Sequence, residues 1–325
     1  MYTSDHEHMV EDECFQVKHI QKVLDKIKEN FQGYFDKFLE SQQSHIPQDR
    51  IDTLHDRFIV DSEGKHLVLD RSRACRELFE EAISDFEKDK KAYVDLFDQE
   101  LLEEYEDDPQ QFKSCALKID TPVIRKTLRN LYAEQLDKYR AAFARANAVD
   151  LLTVVSRLSK FSEDYLQNKY NAETFEDIVY YKDFNLTVLD TEEYTVHGVI
   201  GGGIKSTMLF KNYPDVFSSR SRLAVWALWY LVGKQKFGCK MDSEFLMIDL
   251  KQNSVQQNYF YPYELFEFYA LQIYLLIKNA AKRLGVEVNS AYRFVYVDAF
   301  LSFIALDHIQ EINDLSKSST ENSYV

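Results

Sequence analysis

At 325 residues, 45% hydrophobic and 29% charged, the chain can bury one large core or two ordinary ones, and this balance excludes intrinsic disorder. With only 9 Gly and 5 Pro it lacks the turn punctuation of an all-β fold, and no run of about 18 apolar residues is present to cross a membrane. The net charge of −15 excludes uniform attraction to nucleic acid or anionic lipid.

Residues 1–10 are polar and acidic, without the basic start and apolar centre of a secretory signal. Cys14, Cys75, Cys115 and Cys239 form neither a CxxC pair nor a disulfide framework, so reduced, buried thiols in a cytoplasmic protein are expected. The first predicted helix carries Ile20, Leu24, Ile27, Phe31, Tyr34 or Phe35, and Phe38 at steps of three and four, a stripe that must be buried; the polar stretch 41–48 and Pro47 end it. A small hairpin follows near 57–69, with Gly64 at the turn. From about 70 to 171 the periodicity is helical. Asp70 opens one segment, seven carboxylates between 98 and 108 close it near Pro109, and Thr121-Pro122 has the form of a helix start. Ile124, Leu128, Leu131 and Leu136 give the next apolar face. Arg125, Lys126, Arg129, Lys138, Arg140 and Arg145 lie opposite, as a solvated face or a stripe that contacts phosphates.

After Thr174 the pattern changes. Residues 178–181, 184–189 and 194–200 read as strands, 219–232 as a helix, and 244–250 and 255–261 as a strand pair joined by the turn residues 251–254. Pro262 starts a helix over 263–284 that is apolar on nearly every face and so buried, with Gly285 at its end. Residues 294–297 fit a last strand or part of a buried helix through 306. The expected fold is therefore α+β and predominantly helical. A helical region at 1–172 precedes a module at 173–312 with a small, mostly antiparallel sheet and buried aromatic helices; 313–325 form a loose polar tail.

Charge is unevenly distributed. Between His197 and Lys251 eight basic side chains face four acidic ones, whereas the rest of the chain is strongly acidic. Inside this window lies the densest glycine cluster, Gly201, Gly202 and Gly203, followed by Lys205, Ser206 and Thr207. Glycines let backbone N–H groups approach an anion, and the lysine and hydroxyls can complete a phosphate cradle, with Arg220 and Arg222 neutralising charge nearby. The segment resembles a P-loop, but Ile204 separates Gly203 from Lys205, and Pro214 arrives too soon for the usual helix. A structural glycine turn accounts for the same residues.

A second constellation is Asp215, Glu244, Asp249 and Lys251. Asp249 and Lys251 fall on one face of a strand, where carboxylates can hold Mg²⁺ (Asp215 and Asp249 as ligands) and a lysine can activate water. The order resembles the PD-(D/E)xK nucleases, but a tryptophan-rich helix stands where that family has a short hairpin. Residues 256–263 mix amides and aromatics that suit either base stacking or a core. Arg50 and His55 have the Arg-x4-His spacing of the HEPN ribonucleases, without the long helix expected after it. His6 and His8 lack further ligands. The leading expectation is a binding protein that engages a phosphate-bearing ligand, with nucleic acid included, through the basic glycine-rich face. The alternatives are a Mg²⁺-dependent nuclease, and a protein-interaction or self-associating module without catalysis.

Overall fold

Helix α1 (Val17–Glu40) sets the architecture: its stripe from His19 to Leu39 is buried, and it packs on helices from the far end of the chain. The structure, a computed structural model, describes residues 12–41, 58–60, 67–130, 136–239, 243–249, 254–258 and 260–321. After α1, strands β1 (Phe58–Val60) and β2 (Leu67–Leu69) pair antiparallel. Helix α2 (Arg71–Leu96) starts where the Asp70 carboxylate accepts from the Arg73 N–H, which satisfies one of the orphan donors of its first turn. The acid-rich stretch supplies two more caps. Asp98 accepts from Leu101 N–H at the start of α3 (Gln99–Glu104), and Asp108 accepts from Gln111 N–H at the start of α4 (Pro109–Gln111).

Helix α4 widens into a π-helical turn over Phe112–Asp120, closed where Thr121 donates both its N–H and its hydroxyl to Ala116 O. The threonine side chain thus points back along the chain instead of capping α5 (Pro122–Arg129), which begins on the proline. Helices α6 (Asp137–Arg145) and α7 (Ala148–Asn168) follow, α7 capped by Asn147.

The second half holds α8 (Gly202–Asn212), α9 (Arg222–Leu231), the strands β3 (Leu246–Asp249) and β4 (Ser254–Gln257), and α10 (Tyr263–Arg283). Helices α11 (Arg293–Asp307) and α12 (Ile309–Glu321) complete it. The buried side chains form one contiguous cluster from Cys14 to Ile312, in which α10 and α11 are central. Phe35 and Phe38 of α1 meet Phe300 of α11 at centroid distances of 6.4 and 5.7 Å, so the two ends of the chain share an aromatic core. Among the described residues, no helix is long and apolar enough to cross a membrane.

The expected α+β class is overturned. Among the described residues, strand pairing is confined to two separate two-stranded hairpins, and neither extends into a sheet layer. Residues 178–181, 184–189 and 194–200 contain a chain of single 3₁₀ turns, Phe175–Asp177, Tyr181–Phe184, Thr187–Asp190 and Glu192–Tyr194, followed by one isolated bridge, Val196 to Ile200. Tyr181 and Phe184, like Leu186 and Leu189, are buried pairs three residues apart, which eclipse on a 3₁₀ turn. β-propensity misled because tertiary anchoring decides here. Glu264 accepts from Leu186 N–H at 2.8 Å and from the Thr187 hydroxyl, and Asp190 caps α10 by accepting from Tyr263 N–H at 2.7 Å. Residues 294–297 belong to helix α11. Arg50 and His55, Pro47, Gly64, His6 and His8 lie outside the described residues.

Candidate functional site

The glycine turn does gather most of its expected residues. Gly201 precedes α8 in an extended conformation and Gly202 and Gly203 are its first two residues. Ser206 Oγ accepts from the Arg220 N–H at 3.0 Å, and Thr207 Oγ1 donates to Gly203 O at 2.8 Å and meets Ser219 Oγ at 3.3 Å. The cations, however, turn inward. Lys205 is buried, its Nζ donating to Leu189 O and to Thr195 Oγ1 at 3.2 Å; burial lowers its pKa to about 8, against the pull of Asp190. Arg220 is buried with its guanidinium over Gly202, 3.9 Å from Asp190 Oδ1; a Cβ on Gly202 would lie 2.7 Å from Arg220 Cζ. Gly202 is therefore required by an internal arginine. The turn packs a lysine and an arginine into the protein and does not present them to a phosphate.

The remaining cations of the window face different neighbours. Lys211 meets Asp89 at 2.5 Å and lies over the Phe86 ring at 4.6 Å. Arg222, first in α9, donates to Ser316 Oγ at 2.8 Å, and Lys234 pairs with Glu311 at 2.6 Å. Lys236 is exposed, and Lys240 and Lys251 lie outside the described residues. Among the described residues, the cations of the positive stretch do not assemble into a single basic face.

Two members of the nuclease set, Asp215 and Glu244, have separate structural partners. Asp215 accepts from the Tyr170 hydroxyl at 3.1 Å, and its carbonyl accepts from Arg293 at 2.5 Å. Arg293 is buried, stacked 4.5 Å from the Phe175 ring and 3.6 Å from Glu176, and it pins the Pro214-Asp215 turn to α11. Glu244 instead accepts from Phe237 N–H at 2.8 Å and Cys239 N–H at 3.2 Å, and burial raises its pKa. Asp249 ends β3, and Lys251 lies outside the described residues. Among the described residues no group of three or more His, Cys, Asp or Glu side chains could hold a metal ion. Within the amide and aromatic stretch Tyr261 and Tyr263 are buried and Asn258 is held against Glu244 O at 2.8 Å, whereas Phe260 is exposed.

A different constellation comes together between α1 and α10. Lys28, Phe31 and Gln32 on one side and Leu276, Asn279, Lys282 and Arg283 on the other line an open cleft of about 550 Å³, within the usual range for small-ligand sites. Leu276, half-buried, supplies apolar surface, and Phe31 lies almost wholly buried beneath the cleft. The three cations are exposed, no carboxylate among the described residues lines the cleft, and Arg283 is steadied by donating to Gln32 Oε1 at 3.1 Å. Lys282 and Arg283 occupy the last turn of α10, where cations complement the helix dipole whatever else they do; Lys28, in the middle of α1, has no such reason. The spacing of Lys28 and Gln32, and of Asn279 with Lys282 and Arg283, is visible in the sequence as single helix faces. Their juxtaposition is not, because Gln32 and Arg283 stand 251 positions apart in sequence. The chain matches no protein-family model, no curated protein and no solved structure.

Proposed function

We propose that this chain is a non-catalytic binding protein for a phosphate-bearing ligand of about nucleotide size, held in the cleft between α1 and α10. The observation that carries this reading is the lining itself: three cations, two amides and no carboxylate around an apolar floor, on a chain whose net charge is −15. Cations grouped over low-dielectric surface reinforce one another's field, while the acidic remainder repels anions elsewhere. Each water-exposed contact contributes about 1 kcal/mol, so three contacts with a modest apolar term correspond to a Kd on the order of 1 mM for a bare phosphate chain. A nucleotide base resting on Leu276 would tighten this. Four cysteines outside any disulfide suit a cytoplasmic setting.

Isothermal titration with inorganic tripolyphosphate and with ATP, at about 50 and about 300 mM salt, tests the reading. Saturable binding that weakens several-fold with salt, and is lost in the Lys28→Glu/Arg283→Glu variant while its thermal melt is unchanged, is expected. Lack of binding by the unaltered protein, or equal binding by the variant, refutes it.

A further inference from the structure

A second site is built where the start of α1 meets the loop that leads to β3. His19 lies in the first turn of α1 and Cys239 lies 220 positions later, yet His19 Nδ1 is 3.2 Å from Cys239 Sγ. The imidazole is 7% exposed and stands edge-on to the Phe237 ring at 5.2 Å, and its Nε2 has no hydrogen-bond partner among the described residues. Cys239 itself is half-buried. Its loop is held rigidly: Gly238 takes a φ of 75° and the Glu244 carboxylate accepts from the amides on either side, Phe237 and Cys239. A base is thus placed at hydrogen-bond distance from the thiol of a cysteine that is not fully buried, and neither group has a role in the anion cleft.

We propose that Cys239 is a reactive thiol, activated by His19, and a site of oxidation by hydroperoxides. The thiol proton passes to His19 Nδ1, and the thiolate sulfur attacks the outer oxygen of the peroxide. The S–O bond forms as the O–O bond breaks, and the departing hydroxide takes the proton from His19. The thiol is oxidised to a sulfenic acid and hydrogen peroxide is reduced to water. Burial keeps the resting imidazole neutral, with Lys22 acting in the same direction and Glu13 opposing, so Nδ1 is available to accept the proton. The other charged or titratable groups around the pair are Lys236 and Glu244 on the loop side and Tyr269 of α10. The positive end of the α1 dipole favours the thiolate and disfavours a lasting imidazolium, so His19 serves as a transient base.

Cys115 provides the internal comparison: it is also half-buried, but its sulfur meets the Ser114 hydroxyl at 3.8 Å and not an imidazole. Full-length protein is treated with hydrogen peroxide at pH 7 with a sulfenic-acid trap, and each cysteine peptide is quantified by mass spectrometry. Cys239 is expected to be trapped about tenfold faster than Cys115, and His19→Gln is expected to bring it down to the Cys115 rate without altering Cys115 itself. Equal rates in the unaltered protein, or an unchanged ratio in a folded His19→Gln variant, overturns the proposal. Should that variant melt early, the pH profile of the unaltered protein decides. A base-assisted thiol keeps its alkylation rate between pH 8 and pH 7, whereas an unassisted one loses close to tenfold over that unit. The unassisted profile overturns the proposal as well.

Discussion

Glu267 offers a sharp test of how the core is assembled. It sits in the second turn of α10 with no exposed surface, and one carboxylate oxygen accepts from both the Ser218 N–H (2.9 Å) and the Ser218 hydroxyl (2.6 Å). Burial raises its pKa to about 7, and the Ser218 hydrogen bonds and the Arg293 charge only partly offset this. Between pH 4.5 and about 7 the folded protein therefore keeps a proton that the unfolded chain releases, so stability falls as pH rises through that window. The full shift corresponds to roughly 3 kcal/mol. Glu267→Gln keeps an oxygen for Ser218 and removes the charge. Relative to the unaltered protein it should gain up to about 3 kcal/mol of stability on going from pH 5 to pH 8. Urea denaturation followed by the fluorescence of Trp226, fully buried, and Trp229 measures this. Taking the difference between the two proteins at each pH cancels every other titrating group. A difference that stays flat within about 0.5 kcal/mol would show that Glu267 is not held as a buried acid.

Gly202→Ala should cost about 1–3 kcal/mol in thermal or urea denaturation, because its methyl overlaps the buried Arg220 guanidinium. Combining it with Arg220→Ala should cost clearly less than the sum of the two single changes; strict additivity would mean that the two residues do not touch. Arg293→Met should destabilise by about 3–5 kcal/mol, since it removes the bond to Asp215 O and leaves Glu176 with only Lys278 and the Tyr274 hydroxyl. Arg293→Lys should recover only part of that loss, because an ammonium cannot lie flat on the Phe175 ring while reaching Asp215 O; full recovery would refute the bridging role.

Much of the helical frame could be read from local chemistry. The stripe from Ile20 to Phe38, the Asp70 cap, the apolar run over 263–284 and Gly285, with its φ of 70° at the end of α10, are signals carried by neighbouring residues, and helices are local structures. The same local view failed between 175 and 200, where apolar and β-branched residues suggested strands. Among the described residues, those segments have no strand to pair with. Their turns are set by carboxylates from another helix, Glu264 on Leu186 and Thr187.

Charge was the most misleading quantity. A net positive window in sequence became a buried lysine, a buried arginine and surface pairs with Asp89 and Glu311, because residues close in sequence leave a helix in different directions. Conversely, the cation cleft joins Lys28 to Arg283, and the thiol site joins His19 to Cys239, through the packing of α1 against the C-terminal half. The sequence by itself determined which segments are helical and which face each must bury. Which side chains from distant segments meet, and so where an anion or an oxidant would find its partners, was decided only when those faces closed on one another. Burial fixes the direction of a stripe but does not name the stripe it will meet.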